Sequence, residues 1–217
     1  VNRGFHINHK RVQRIMHDLK LFGKRPKEKY HSYKGEVGKV AGNIIQRNFK
    51  ADRPLQKWTT DVTQFHFSWG KCYLSPILDM NTNEIISYDL SMIPNLNQIK
   101  RMLNRAFKKF RNLQGLIMHS DQGWQYQHEY YRSELKKHGI IQSMSRKGNC
   151  YDNSIMETFF GRMKNEMYYG SEKEYTSFKV FAKAVKEYIH YFNKERIQKK
   201  TKWMPPEIYR ETSTNAI

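Results

Sequence analysis

The chain has 217 residues, enough for one substantial domain and a small extra module. Its 39 Lys and Arg against 20 Asp and Glu leave a formal net charge of +19, which points to a polyanionic partner. No apolar run long enough to span a bilayer, no lipidation motif and no secretory segment argues for a membrane. Cys72 and Cys150 stand too far apart for a zinc pattern or a disulfide framework, so a reducing cytoplasm is expected.

The basic charge is concentrated early, with fifteen Lys/Arg against four acids over residues 1–57. Val12, Ile15, Met16 and Leu19 recur at helical spacing over residues 8–21, with Asn8 as N-cap. Lys10, Arg11 and Arg14 lie off that stripe, which suits the last helix of a small DNA-binding module. Residues 22–40 are rich in Lys, Gly and Pro and lack apolar periodicity. From Trp58 the texture changes. Residues 58–67 predict a strand, and 71–79 and 84–92 two more around the turn signal Asn81-Thr82-Asn83. A helix follows over Leu96–Phe110, a buried strand over Gly115–His119, a helix over 127–137 and a strand over 140–144. Two long helices, 153–168 and 177–196, end the series. Three meandering strands followed by alternation predict an α/β fold with a mixed sheet covered on both sides.

Three acids stand out by position. Asp61 interrupts a strand of Thr, Val, Gln and Phe, where Asp is a poor choice unless a cation or a helix N-terminus needs it. Asp121 follows a buried strand, at the edge where α/β sheets place their sites. Glu157 lies in the first turns of a helix on which Asn153, Glu157, Gly161 and Lys164 share a face. Taken alone, that helix reads as an ordinary amphipathic surface. Asp79 and Asp89 read as structural or solvent-facing, Asp152 as a cap beside Asn153 that, being close to Glu157, could at most support the site from behind, and His119 as a fold or DNA-contact residue. Trp124 and Tyr126 suit base stacking and packing equally. Hard cations such as Mg²⁺ take oxygen ligands, and two of them suit in-line displacement at phosphorus.

The flanks of these acids carry a family resemblance. Lys57-Trp58-Thr59-Thr60-Asp61-Val62-Thr63-Gln64-Phe65, His119-Ser120-Asp121-Gln122-Gly123-Trp124-Gln125-Tyr126 and Ser143-Met144-Ser145-Arg146-Lys147-Gly148-Asn149-Cys150-Tyr151-Asp152-Asn153, leading to Glu157-Thr158-Phe159-Phe160, resemble the OrfB-type transposases of the insertion-sequence-three family. The 35 residues between Asp121 and Glu157, the basic Lys164 seven after the glutamate, and the tail Asn193-Lys194-Glu195-Arg196 with Pro206-Glu207-Ile208-Tyr209 extend it from about residue 4 to 210. Tyr191-Phe192 stands where the family usually has two tyrosines.

The resemblance implies an RNase H-like mixed five-stranded sheet flanked by helices. It implies a partial helix-turn-helix-like segment over 1–30, a linker over 31–53 and an integrase-like catalytic core over 54–212. The family's helix-turn-helix region is longer than the piece here, so the chain is expected to begin within it, either shortened or completed from another reading frame. Asp61, Asp121 and Glu157 would hold two Mg²⁺ or Mn²⁺ ions, with Asp61 bridging. Lys164, Asn153, Arg146, Lys147, Trp124, Lys10, Arg11 and Arg14 would contact DNA, both element ends and target. A synaptic homo-oligomer in the bacterial cytoplasm, nucleoid-associated, and a first-frame partner protein are also implied. The rival readings are a ribonuclease H or junction resolvase on the same fold, and a catalytically inactive, domesticated DNA-binding descendant.

Overall fold

The computed structural model describes residues 7–23, 40–146 and 150–214. Helix α1 (His9–Asp18) is capped by Asn8, whose side chain accepts from Lys10 N at 2.9 Å. No residue of α1 is buried, and Val12, Ile15, Met16 and Leu19 are exposed.

The sheet comprises β1 (Lys57–Thr60), β2 (Thr63–Phe67), β3 (Gly70–Asp79), β4 (Ile85–Ser91), β5 (Ile117–Ser120) and β6 (Ile141–Met144). Along one edge of β3, its first half pairs antiparallel with β2 and its second half with β1; β4 lines the other edge. Strands β1, β5 and β6 are parallel neighbours. The sheet is therefore mixed, as expected, but six-stranded rather than five-stranded. The strand expected over 58–67 is interrupted at Asp61–Val62. There the Val62 N–H donates to Asp61 Oδ1 at 2.7 Å, turned to a carboxylate rather than to the ladder.

Alternation along β3 and β4 sends apolar side chains to both faces. On one, Trp58, Ile77, Ile86 and Met118 pack under α2 (Leu96–Lys109), α3 (Trp124–Gln127) and α4 (Glu129–Lys137). On the other, Phe65, Cys72, Leu74 and Leu78 pack under α5 (Ser154–Met167) and α6 (Phe178–Lys194). Each fully buried Phe or Leu stabilises by roughly 1.5–3 kcal/mol, so this second layer is what holds α5 to the sheet. The helix expected over 127–137 is preceded by a separate turn, α3, because His128 adopts an extended backbone between the two. Helix α5 is entered through a 3₁₀ turn, Cys150–Asn153.

The tail closes the far edge. Asn193 grips the start of β4, accepting from Ile85 N and donating to Ile85 O, both at 2.9 Å. Helix α7 (Pro206–Thr214) brings Arg210 to the buried Glu84 at 2.6 Å. Among the described residues, no helix is long and apolar enough to cross a membrane.

Candidate active site

The parallel register of β1 and β5 pairs Thr59 with His119. Asp61 and Asp121 lie two residues beyond that pair on their respective strands. They therefore leave the sheet side by side at its C-terminal edge. Strand chemistry explains why both chains stop here. Asp61 Oδ1 takes Val62 N, and Asp121 Oδ1 takes Gly123 N at 2.9 Å, so each carboxylate organises the turn that ends its own strand.

Glu157 comes from the opposite layer. Helix α5 runs alongside β1 and β2: Asn153 meets Thr59, Glu157 raises the pKa of Asp61, Lys164 meets Gln64 and Tyr168 meets His66. Fifteen helical residues advance about 22 Å and seven strand residues about 23 Å, so helix and strand stay in step and in the same direction. The buried side of α5, with Met156, Phe159, Phe160 and Met163, leaves Glu157 and Lys164 facing the strands, both half-buried. At Gly161 an added Cβ would meet only open space.

Electrostatics brings the three acids together. Burial and then the neighbouring charge of Asp121 push Asp61 well above the ordinary carboxylate range, and Glu157 pushes it further. Burial raises Asp121 and Glu157 as well. Beneath them, burial and the charges of Asp61 and Asp121 drive the fully buried Tyr126 phenol upward, so it stays protonated. Lys164 Nζ donates to Gln64 O at 3.1 Å and lies 5.2 Å from the Phe65 ring centre. Burial lowers its pKa, while Asp61 opposes that.

Among the described residues, no three His, Cys, Asp or Glu side chains close tightly enough to grip an ion as they stand. The donor set nonetheless fits a hard divalent ion: three oxygen acids, partly open to solvent, whose mutual repulsion a bound cation would relieve.

Around this cluster the expected contact residues divide. Trp124 is 49% exposed at the start of α3, beside Asp121 in sequence, whereas Tyr126 is fully buried and packs. Arg146 is exposed but held, donating to Asp152 through Nε at 3.0 Å and Nη2 at 3.1 Å. Asn153 is only 5% exposed. Its Oδ1 accepts from Thr59 Oγ1 at 2.6 Å, so its side chain is engaged inside the fold. Lys147 lies outside the described residues. Lys10, Arg11 and Arg14 are exposed on α1.

Asp152 supports the site as its closeness to Glu157 suggested, but the partners that fasten it were not legible in the motifs. Asp152, with a buried side chain, also receives Arg47 Nε at 2.9 Å and Asn43 Nδ2 at 3.0 Å. Arg146 first and Arg47 after it hold its carboxyl far below the usual range. The segment carrying Asn43 and Arg47 belongs to the expected linker, yet it is pinned to β6 through Ile44 N to Ser143 Oγ and Met144 N to Gly42 O. His119 is fully buried, with Nδ1 at 2.9 Å from Ser143 Oγ and Nε2 at 2.8 Å from Asp152 O, and burial lowers its pKa. Its sequence neighbourhood to Asp121 thus reflects packing. Asp79 and Asp89 are buried structural acids, as one of the two expected readings had it.

The chain matches the integrase core domain over residues 51–150 and a second integrase core domain family over residues 157–213. It is 54% identical to an uncharacterized transposase-like protein of Haemophilus influenzae, over 96% of this chain and 95% of the relative. It is 49% identical to a putative transposase for insertion sequence element IS150 of Escherichia coli K12, over 95% of this chain and 72% of the relative. The catalytic core domain of HTLV-2 integrase, solved in complex with magnesium, superposes with a TM-score of 0.59 at 14% identity, over 74% of this chain and 99% of that one. The strand order, the paired acids at one sheet edge and these relatives agree: the chain belongs to the OrfB-type transposases of the insertion-sequence-three family, DDE polynucleotidyl transferases built on an RNase H-like integrase core.

Proposed function

We propose that Asp61, Asp121 and Glu157 are the catalytic acids and would together hold two Mg²⁺ or Mn²⁺ ions. The observation that carries this reading is the three-way convergence at the β1/β5 edge, where Asp61 feels both other acids. Bound there, such ions would supply Lewis acidity toward the oxygens of a phosphate under in-line attack. The chain's own part is to hold the three carboxylates in place and oriented. The Val62 and Gly123 N–H groups fix one oxygen each of Asp61 and Asp121. His119 does not act as a base, because both its ring nitrogens are occupied inside the fold.

The reaction is displacement at phosphorus. Water first attacks the phosphate at a 3′ end of the element, forming one P–O bond and releasing a 3′-OH. That hydroxyl then attacks a target-strand phosphate, and a second 3′-OH leaves. Lys164, Arg146, Trp124 and the α1 residues Lys10, Arg11 and Arg14 would hold DNA, with the basic charge supplying the salt-dependent share of affinity. Joining two ends to one target requires a synaptic homo-oligomer, working in the bacterial cytoplasm.

The test is strand cleavage and joining on labelled duplexes carrying the element's ends, with wild type and Asp121→Asn. Metal-dependent joining lost in the variant supports the reading. Equal joining by both proteins, or tight DNA binding without cleavage by either, contradicts it.

A further inference from the structure

We infer that the Thr59–Asn153 hydrogen bond is a positioning strut that sets Glu157 against Asp61, an assignment that rests on the catalytic reading above. Asn153 occupies the N-cap position of α5, yet its side chain makes no bond to the helix's own N–H groups. At that position Asn is among the preferred residues because its side-chain oxygen normally accepts one of those orphan donors. Here the oxygen instead accepts Thr59 Oγ1 at 2.6 Å, inside the fold, and its Nδ2 leans toward Thr60 O at 3.5 Å. The capping role is forgone for a contact with the strand that carries Asp61.

Geometry shows what that contact controls. Thr59 stands two residues before Asp61, and Asn153 four residues before Glu157. Two strand residues advance about 6.6 Å and four helical residues about 6 Å, so the acids come level when the strut is made. The neighbouring Asp152 reinforces the same end of the helix. Its carboxylate is fastened by Arg146, Arg47 and Asn43, and its carbonyl by His119 of β5, the strand that leads to Asp121. At the other end, Tyr168 Oη donates to His66 O at 2.7 Å. Helix α5 is thus clamped to β1, β5 and β2, and the Thr59–Asn153 member directly ties the strand that leads to Asp61 to the helix that carries Glu157.

A cap and a strut respond oppositely to one substitution. In Asn153→Ser the shorter side chain still caps a helix but falls short of Thr59. The strut predicts a Tm near wild type, the gained cap offsetting the buried Thr59 hydroxyl left without Asn153, 3′-end cleavage slowed about 10- to 100-fold with unchanged KM for DNA, and weaker binding of Mn²⁺ alone by calorimetry. Thr59→Val removes the same bond and should match it, Thr59→Ser should restore wild-type behaviour, and the double variant Thr59→Val with Asn153→Ser should be no worse than either single. Full cleavage and Mn²⁺ binding in Asn153→Ser, or losses that follow a falling Tm, overturn the assignment. Glu157→Gln separates the two layers. If it cleaves normally, the catalytic reading fails and the strut with it. If it is inactive while Asn153→Ser is unimpaired, the strut alone fails.

Discussion

Two groups of acids share this fold and are treated in opposite ways. Asp79 accepts from Leu55 N, Trp58 Nε1, Asn81 N and Thr82 N. Glu84 holds Lys109 and Arg210, Asp89 holds Arg101 and Arg105, and Asp152 holds Arg47 and Arg146. Asp61 and Asp121, among the described residues, receive one backbone N–H each; otherwise Asp61 faces Asp121, Glu157 and the Lys164 ammonium. The first group's oxygens are taken up by hydrogen bonds and ion pairs that bind the chain together. The second is left with lone pairs and repulsion, a state that stabilises nothing until a cation enters.

The largest expected effect separates the groups by activity. Asp61→Asn, Asp121→Asn and Glu157→Gln should each lower cleavage and joining by about a thousandfold or more, as removal of members of a unit does, while circular dichroism shows an intact fold. Next comes stability. Asp79→Asn turns an amide N–H toward buried donors and should cost about 2–4 kcal/mol, read by urea denaturation. Asp121→Asn, measured without metal, should cost nothing or raise the Tm.

Acidification should sharpen the contrast. Asp61, Asp121 and Glu157 have raised values in the fold, so the native state takes up protons first as the pH falls from neutrality, and stability rises. Asp152 has a depressed value, so its contribution is present above the ordinary Asp value near 4 and is lost as the pH falls through the depressed one. The metal-free Tm should therefore peak on the acid side of neutrality. In the Asp61→Asn/Asp121→Asn double variant the rise before the peak should flatten. The smallest effect falls on the rim: Arg146→Ala should leave stability little changed, since Arg47, Asn43 and the Arg146 backbone N–H still hold Asp152. Because the side chain is 60% exposed, the loss should show instead as a salt slope of DNA binding shallower by about one.

Sequence made the three acids legible because their chemistry is local: Asp in a strand, Asp after a buried run, Glu on a polar helix face. It also showed the alternation of strands and helices, since both faces of β3 are apolar. The break of one strand into β1 and β2 was not legible, because Val62-Thr63-Gln64-Phe65 keeps strand character and only the Asp61 carboxylate diverts the Val62 N–H. The inward turn of Asn153 was hidden for a similar reason. Helical periodicity placed it on the face of Glu157, and its partner Thr59 lies 94 residues away. Thr59 and Asp61 sit at i and i+2 on one strand face, which is the one signal that could have linked them. Residues 40–47 carry a loop's composition, and only the arrangement of Asp152, Ser143 and Met144 reveals that they are fastened to the core.

The most direct test compares melting temperatures of wild type, Asp121→Asn and Asp79→Asn with and without Mn²⁺. The account predicts that Mn²⁺ raises the Tm of wild type and of Asp79→Asn, from a lower baseline in the latter, and leaves Asp121→Asn unmoved. Equal Mn²⁺ shifts in all three proteins, or no shift in wild type at millimolar Mn²⁺, would contradict it.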